Sequence, residues 1–395
     1  MNLTTMEAEV EDENSIFAIF KLIEQSSVIV WLRQNFPYLL PLLCIVGIIG
    51  NSMALLLIRT NFWLRRLTSN VYLCTLSISS CVFLLTLIVS WVDSAYRLHI
   101  YMDSEIGCKV FTFLAHLSDF NCVWMISWIS CDRMVVLYRP GFRKWVCTKR
   151  FARNWMICTL LTSIVFYSWV FMFAGLEEYK DDLFCGLSSK AQVFGYPVAD
   201  HYFLFTLLDT AICTLLPAIL IMFVNTLSIY RYRQCMRIYS SGVLRVRFDR
   251  SSNGNPIPYE ETSAKKLLLS QTHTNSHMST QSNRSTCGKL RSSDLQLSRT
   301  LLIVTSTFVL LNVPSYMVRI IQYIFEPRMQ IFHFLHYFSY LIYYLHHAVL
   351  FYMYIFWSPQ MKKQLKPTAI RLLECYCFKT VPEFGHRSTS LQAFN

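Results

Sequence analysis

The sequence predicts an all-α membrane protein, built as a bundle of seven transmembrane helices followed by a short amphipathic helix at the inner membrane surface. The chain is 54% hydrophobic and only 15% charged, whereas soluble domains average about 25% charged residues. Its charged residues are clustered, and the seven apolar runs between them reach the roughly 20 residues that a spanning helix needs. Basic and acidic clusters also alternate along the chain.

The seven predicted spans are separated by short loops, except between the fifth and the sixth. The third span is the least apolar, because it contains His116, Asp119 and Asn121. The first span is so apolar on all sides that a helix of a soluble bundle would rarely match it. The spans are predicted at Pro37–Ile58, Asn70–Val92, Gly107–Val136, Trp155–Gly175, Tyr202–Tyr230, Leu297–Tyr323 and Ile331–Trp357.

The loop charges predict how the chain crosses the membrane. Lys and Arg concentrate after the first and third spans, and acids concentrate before the first span and between the fourth and fifth. Because Lys and Arg mark the cytoplasmic side, the N-terminus is expected outside the plasma membrane and the C-terminus inside. The net charge of +12 therefore reflects topology rather than nucleic-acid binding. Loops that are merely solvated would not explain the alternation.

Three regions surround or interrupt the spans. Residues 1–35 are expected to be an extracellular tail, residues 36–358 the bundle, and residues 359–395 an amphipathic helix and cytoplasmic tail. Residues 231–293 are rich in Ser and Thr and broken by Gly and Pro, as in a disordered third intracellular loop. Phosphorylation there and in the tail would make kinases and arrestin partners, and a passive linker is the alternative. After residue 359, lysines suit contact with anionic membrane lipids, although Pro367 argues against a continuous helix.

The chain has 14 cysteines, and topology places only Cys108 and Cys185 at the outer surface. Since the outside is oxidising, we expect a disulfide that pins the loop between spans four and five across the top of span three. Two free thiols are the alternative. Cys375 and Cys377 follow the basic stretch and are either palmitoylation sites or ordinary thiols. Asn2 begins a glycosylation sequon.

Several short motifs lie at matching positions in the spans: "GN" at 50–51, "DRMVVLYRP" at 132–140, Pro217, "FVLLNVP" at 308–314, Tyr354 and Ser358. With seven spans and the outer cysteine pair, they resemble the rhodopsin-like (class A) G protein-coupled receptors over about residues 36–375. Met134 stands where that family has the Tyr of its Asp-Arg-Tyr motif. The resemblance implies a switch formed by Phe308, Asn312, Pro314 and Tyr354, with Asn312 in place of the usual Trp.

The departures from the family mark a divergent member. Ser80 replaces the Asp of span two, Leu350 and Phe351 replace the Asn-Pro of span seven, and Asn225 replaces the Tyr of span five. The first three positions belong to the family's sodium site. We therefore predict no sodium site, and the sequence indicates no other metal and no cofactor.

The inner end of span three is predicted to carry a lock. Arg133 lies 25 residues after Cys108, or about 37 Å along a helix, which is roughly the thickness of the membrane. An ionised group there needs a partner. Asp132 is adjacent, and Asp294 stands twenty residues before Pro314, where the resemblance implies an acid that pairs with the Arg. We expect an Arg133–Asp294 lock; a solvated Asp294 in a disordered loop is the alternative.

The outer half is expected to bind the ligand. Ala115 stands where amine receptors have an Asp, which argues against an amine ligand. Span seven lacks the Lys that binds retinal, which argues against an opsin. Ionisable and polar groups inside the membrane are candidates for function. The alternative is that they form ordinary interhelical hydrogen bonds. Asp119 is expected to have His346 and His347 as its partners. The candidate ligand-binding residues are His116, Asp119, Asp209, Arg319 and Gln322, with Glu177, Glu178, Asp181 and Asp182 in the outer loop.

The acidic, aromatic outer loop favours a cationic or amidated peptide, unless its acids are only solvated. "LNVPSYMVRI" at 311–320 resembles invertebrate neuropeptide receptors of the FMRFamide-like type. The sequence thus predicts a receptor without catalytic residues that binds a short neuropeptide and activates a heterotrimeric G protein. A receptor for a lipid or small chemosensory ligand is the alternative. A transporter or channel is disfavoured, because no matched inverted half is visible.

Overall fold

Helices occupy each of the seven predicted spans. The computed structural model describes residues 27–98, 100–101, 104–139, 141–179, 182–188, 192–193, 196–197, 202–240, 292–325 and 330–378. In chain order the elements are α1 (Ser27–Thr60), α2 (Phe62–Arg66), α3 (Ser69–Tyr96), α4 (Glu105–Tyr138), α5 (Arg143–Val146), α6 (Lys149–Tyr167), α7 (Trp169–Phe173), β1 (Ala174–Tyr179), β2 (Asp182–Leu187), β3 (Gln192–Val193), β4 (Tyr196–Pro197), α8 (Tyr202–Thr210), a π-helix (Ala211–Leu215), α9 (Leu216–Ser240), α10 (Ser292–Phe325), α11 (Gln330–Trp357) and α12 (Pro359–Phe378).

The chain is a multi-pass membrane protein. Within the described residues, six helical segments are long and apolar enough to cross a membrane, and they correspond to the first six predicted spans. α11 packs against α1 and α10 and so closes the bundle. Its crossing of the membrane as a seventh span remains a prediction.

Two helices extend beyond the predicted spans. α1 begins at Ser27, inside the predicted tail 1–35, and α9 runs to Ser240, ten residues into the predicted loop 231–293. No Gly or Pro stands between Pro217 and Gly242, so α9 continues beyond the apolar residues that cross the membrane. The remainder of that loop, residues 241–291, lies outside the described part of the chain.

The fourth span and its loop also differ from the prediction. The span ends at Phe173, and the chain then turns into β1, which pairs antiparallel with β2. A second short pair, β3 with β4, follows. The bundle is all-α as predicted, but the loop between the fourth and fifth spans adds strands that the expected all-α class did not include. Alternation in "GLEEY" is too short to indicate a strand by itself.

Pro367 argued against a continuous helix, but α12 is continuous through it. Pro367 is exposed, so the carbonyl that loses its helical hydrogen bond can be solvated. Met361 and Leu365 pack against the core of the bundle, while Lys362 and Lys366 are exposed. Contact of these lysines with lipids remains a prediction.

α4 lies at the centre of the bundle and contacts α3, α6, α9 and α10. Of its most apolar stretch, 72% is buried, against 22% to 50% in the other five candidate spans. This explains why the third span could be the least apolar, because protein rather than lipid surrounds it. The largest core cluster includes Leu57, Leu76, Met125, Ile126 and Leu301.

Gly47 allows three helices to approach closely, and this generates a stability prediction. A Cβ built on Gly47 would lie 2.5 Å from Leu84 Cδ1 and 2.9 Å from Ala348 Cα. Because the second neighbour is backbone, Gly47→Ala must separate α1 from α11. We expect a loss of about 1–3 kcal/mol, measured as a lower thermal-unfolding midpoint of the purified chain. Gly141→Ala is the control, since a Cβ there meets nothing within 4 Å; equal midpoints for both variants would contradict the prediction.

Candidate functional site

The predicted disulfide is confirmed. Cys108 and Cys185 are bonded, with their Cα atoms 5.5 Å apart. Ser104 caps α4 by accepting a hydrogen bond from the Gly107 amide at 3.1 Å, and Cys108 follows in the first turn. The bond holds β2, and β1 paired with it, against this end of α4. We refer to it as the disulfide end of the bundle.

The hairpin carries part of the acidic loop over the disulfide end. Glu177 is half-buried and Glu178 is exposed on β1. Leu176 pairs in register with Cys185, and Glu177 pairs with Phe184. The sequence placed acids and aromatics in this loop, and the structure adds that the disulfide fixes their position relative to α4.

A polar group lies beneath the hairpin among aromatic side chains. The His116 ring stacks on Tyr167, with centroids 5.1 Å apart and planes 18° apart. The Tyr167 hydroxyl donates to the Asp209 carboxylate at 2.7 Å and lies 2.6 Å from the Cys213 sulfur. Two predicted residues, His116 and Asp209, are therefore joined by Tyr167, which the sequence analysis missed. A buried tyrosine in an aromatic span gives no distinctive sequence signal.

A π-helix follows directly after Asp209. Residues Ala211–Leu215 interrupt the α-helical register of the fifth span, and such bulges frequently occur at functional sites. Asp209 and Cys213, four residues apart, lie on the same face of the span and both contact the Tyr167 hydroxyl.

Asp119 lies deeper, and His347 is its neighbour as the sequence suggested. The Asp119 Oδ1 atom is 3.6 Å from His347 Nε2. The His347 side chain is fully buried, whereas the Asp119 side chain is 17% exposed. Ser80, which replaces the span-two Asp of the family's sodium site, has its hydroxyl 3.4 Å from His347 Nδ1.

The opposite end of α4 differs from the expected lock. Arg133 pairs with the adjacent Asp132, and both side chains are buried. Asp294 instead bonds to Arg143 Nη1 at 2.6 Å. Among the described contacts there is no Arg133–Asp294 pair, so the predicted direct partner is corrected. Asp294 is also not a solvated loop residue, since it is buried in the first turn of α10, where the helix dipole favours an acid.

The loop that carries Arg143 lies against the Arg133 end of the bundle. The Cys147 sulfur is 4.0 Å from the Asp132 carbonyl oxygen. Burial first, and then the nearby Asp132 carboxylate, raise the pKa of the Cys147 thiol to about 12. The thiol therefore stays neutral near pH 7 and leaves the Asp132 charge to Arg133.

The predicted switch residues are mostly buried between α10 and α11. Phe308 meets the His346 ring edge-on, with centroids 5.1 Å apart. Asn312 donates to the Phe308 carbonyl at 2.6 Å. Tyr354 is buried on α11, whereas Pro314 is exposed within α10.

Asn225 has acquired a different contact. Its amide donates to Thr305 Oγ1 at 2.8 Å and so joins α9 to α10. Asn225 stands where the family has the Tyr of span five, and its amide links the two helices directly.

Some predicted residues lie outside the described part of the chain. These are Asn2 and Asp181, together with the side chains of Asp182, Arg319, Gln322, Cys375 and Cys377.

Helices of this length with a disulfide-pinned loop at one end and a buried Asp-Arg pair at the other define a helical membrane receptor. The chain belongs to the rhodopsin family: the family model described as "7 transmembrane receptor (rhodopsin family)" matches residues 50–376. This is a family of receptors rather than enzymes.

Individual relatives are distant. The chain is 23% identical to the thyrotropin-releasing hormone receptor of Homo sapiens over 278 residues, which cover 69% of this chain and 62% of the relative. It is 27% identical to the C-C chemokine receptor type 3 of Cavia porcellus over 157 residues, covering 39% of this chain and 42% of the relative. The matches therefore span less than two thirds of these relatives.

The Tyr167 hydroxyl is expected to stabilise the disulfide end. Tyr167→Phe removes the donor to Asp209, and an unsatisfied partly buried carboxylate costs about 1–3 kcal/mol. The thermal-unfolding midpoint of the purified chain should fall. Tyr230 is an exposed tyrosine on the fifth span, so the control Tyr230→Phe should leave the midpoint unchanged. If the Tyr167 hydroxyl does not contribute to stability, both variants will have the wild-type midpoint, and this would contradict the prediction.

Proposed function

We propose that the chain is a plasma-membrane receptor that binds a short extracellular peptide at its disulfide end and activates a heterotrimeric G protein at its Arg133 end. The proposed orientation follows the loop charges, with the N-terminus outside. The observation that supports the ligand assignment is the hairpin fixed by Cys108–Cys185. It carries Glu177 and Glu178, and its Leu176 packs in one cluster with Tyr167 of the His116–Tyr167–Asp209 group.

The chemistry of the disulfide end suits a cationic or amidated peptide. Acids at the entrance attract positive charge and raise the encounter rate. The aromatic rings beneath offer apolar area, and the Asp209 carboxylate offers an acceptor. Both relatives carry names of receptors, one for C-C chemokines and one for thyrotropin-releasing hormone, and neither name refers to a lipid or an amine. An invertebrate neuropeptide of the FMRFamide-like type is the more specific proposal.

The Arg133 end suits a switch that opens by exchange of ion pairs. Arg133 and Asp132 neutralise each other in a buried position, and Asp294 ties α10 to the loop after α4 through Arg143. We propose that this second pair holds the inactive arrangement, in the role first expected of Arg133 with Asp294. Release of Asp294 would let α10 swing outward and expose Arg133 to a G protein.

Breaking the Arg143–Asp294 pair is expected to raise ligand-independent signalling. Arg143 is 43% exposed, so the pair is partly screened and contributes about 0.2–1 kcal/mol. Arg143→Ala and Asp294→Ala should each raise basal second-messenger output about two- to fivefold. The double exchange Arg143→Asp with Asp294→Arg should restore a low basal level.

Lys144→Ala is the matched control, because Lys144 is exposed beside Arg143 on the same short helix. It should leave the basal output at the wild-type level. Unchanged output from the Arg143 and Asp294 variants, at equal surface expression, would reject the lock.

A peptide-library screen with a second-messenger readout tests the ligand class. Once an active peptide is found, neutralising Glu177, Glu178, Asp181 and Asp182 together should reduce its potency about tenfold or more, and most strongly at low salt. Glu105→Gln is the control, since that acid lies at the start of α4 and pairs with Lys109. Full potency in the neutralised variant, or responses only to lipids, would overturn the peptide assignment.

A further inference from the structure

Three potential metal ligands meet inside the bundle, between α4 and α11. One carboxylate oxygen of Asp119 and one ring nitrogen from each of His346 and His347 lie within 4.8 Å of one another. Both histidines are buried. The sequence predicted no metal, because the residues of the family's sodium site are replaced in this chain.

The hydrogen bonds of the two imidazoles prepare them as ligands. His346 Nδ1 lies 2.6 Å from the Tyr343 carbonyl oxygen, to which it must donate. His347 Nδ1 lies 3.4 Å from the Ser80 hydroxyl. Within the described residues, the Nε2 atom of each ring has no hydrogen-bond partner. Histidines that bind metals characteristically donate one ring N–H to a carbonyl or hydroxyl and present the other nitrogen to the ion.

The surrounding side chains hold these rings in place. Phe83 stacks on His347 at 4.2 Å between centroids, and Phe308 contacts His346 edge-on. The Tyr343 ring lies against both imidazoles, with centroids 5.3 Å from His346 and 6.0 Å from His347. The cluster is therefore constrained from outside, as are the ligands of metal centres.

We propose that Asp119, His346 and His347 form a binding site for a divalent transition-metal ion, for which Zn²⁺ is the best fit, and that this ion ties α4 to α11. Two imidazoles and one carboxylate are an established zinc ligand set that leaves a fourth position open. Zinc–ligand bonds of about 2.0–2.2 Å place tetrahedral ligand atoms about 3.4 Å apart. The Asp119–His347 separation of 3.6 Å is near that value, and side-chain rotation supplies the rest.

The alternative to a metal ion is a proton shared between Asp119 and His347. A proton on His347 Nε2 would satisfy Asp119, but it would leave His346 Nε2 without a partner. A metal ion engages all three atoms and balances the buried carboxylate charge. Access is provided at Asp119, whose side chain is 17% exposed, whereas the His347 side chain is fully buried.

The test is Zn²⁺ titration of the purified full-length chain in detergent, after treatment with a chelator. We expect Zn²⁺ to raise the thermal-unfolding midpoint by several degrees and excess chelator to reverse the rise. Asp119→Asn and His346→Gln should each weaken zinc affinity at least about tenfold. His116→Gln, which removes a histidine of α4 outside the cluster, should keep the wild-type shift.

Co²⁺ gives a second measurement that does not depend on the variants folding well. In the wild-type chain, Co²⁺ should produce the intense visible bands of tetrahedral coordination, which Zn²⁺ then displaces. Absence of any Zn²⁺ shift, a shift that persists in both ligand variants, or a sulfur-to-cobalt band from a cysteine site would overturn the proposal. Neither measurement uses signalling, so their result is independent of the proposed receptor function.

Discussion

The other helices enclose α4 along most of its length, and this enclosure decides where the polar groups of the bundle lie. A membrane interior offers no water, so a polar side chain there must find a partner on another helix or on its own backbone. α4 carries more such groups than a lipid-facing helix could, and several neighbouring helices supply the partners. The pairs are Asp119 with His347, Asn121 with Ser163, Trp128 with Thr159, and Tyr138 with the Leu227 carbonyl.

These contacts are unequal in strength, and their distribution separates a fixed end from a movable end. An interhelical hydrogen bond contributes roughly 0.6–2 kcal/mol in a membrane, so several together set the rotation of α4 while each can be exchanged. The Cys108–Cys185 bond is covalent and holds the hairpin to α4. At the other end, the partly exposed Arg143–Asp294 pair can open at small cost, whereas the buried Asp132–Arg133 pair is costly to separate.

The sequence could predict the features that depend on composition and spacing. Apolar runs located the helices, loop charges placed Cys108 and Cys185 in one compartment, and motif spacing brought Arg133 to the opposite end from the disulfide. The partner of each polar side chain could not be predicted as well from the sequence, because it depends on side-chain geometry in three dimensions. Asp294 was correctly taken as an acid at the start of α10, yet its partner Arg143 lies in a short loop helix that no periodicity indicates. The hairpin and the π-helix were not predicted either, because no periodicity in the sequence indicates them.

α11 offers a direct physical connection between the two ends. It contains no proline from residue 330 to residue 357, because Phe351 stands where the family has Pro, so it lacks the usual cause of a sharp kink. His347 lies beside Asp119 and accepts a hydrogen bond from Asn51 through its carbonyl oxygen at 2.8 Å. Tyr354 follows seven residues later, about 10 Å further along the same helix. A shift imposed on His347 from the disulfide end would therefore reach Tyr354 by rigid movement of α11 rather than by bending within it.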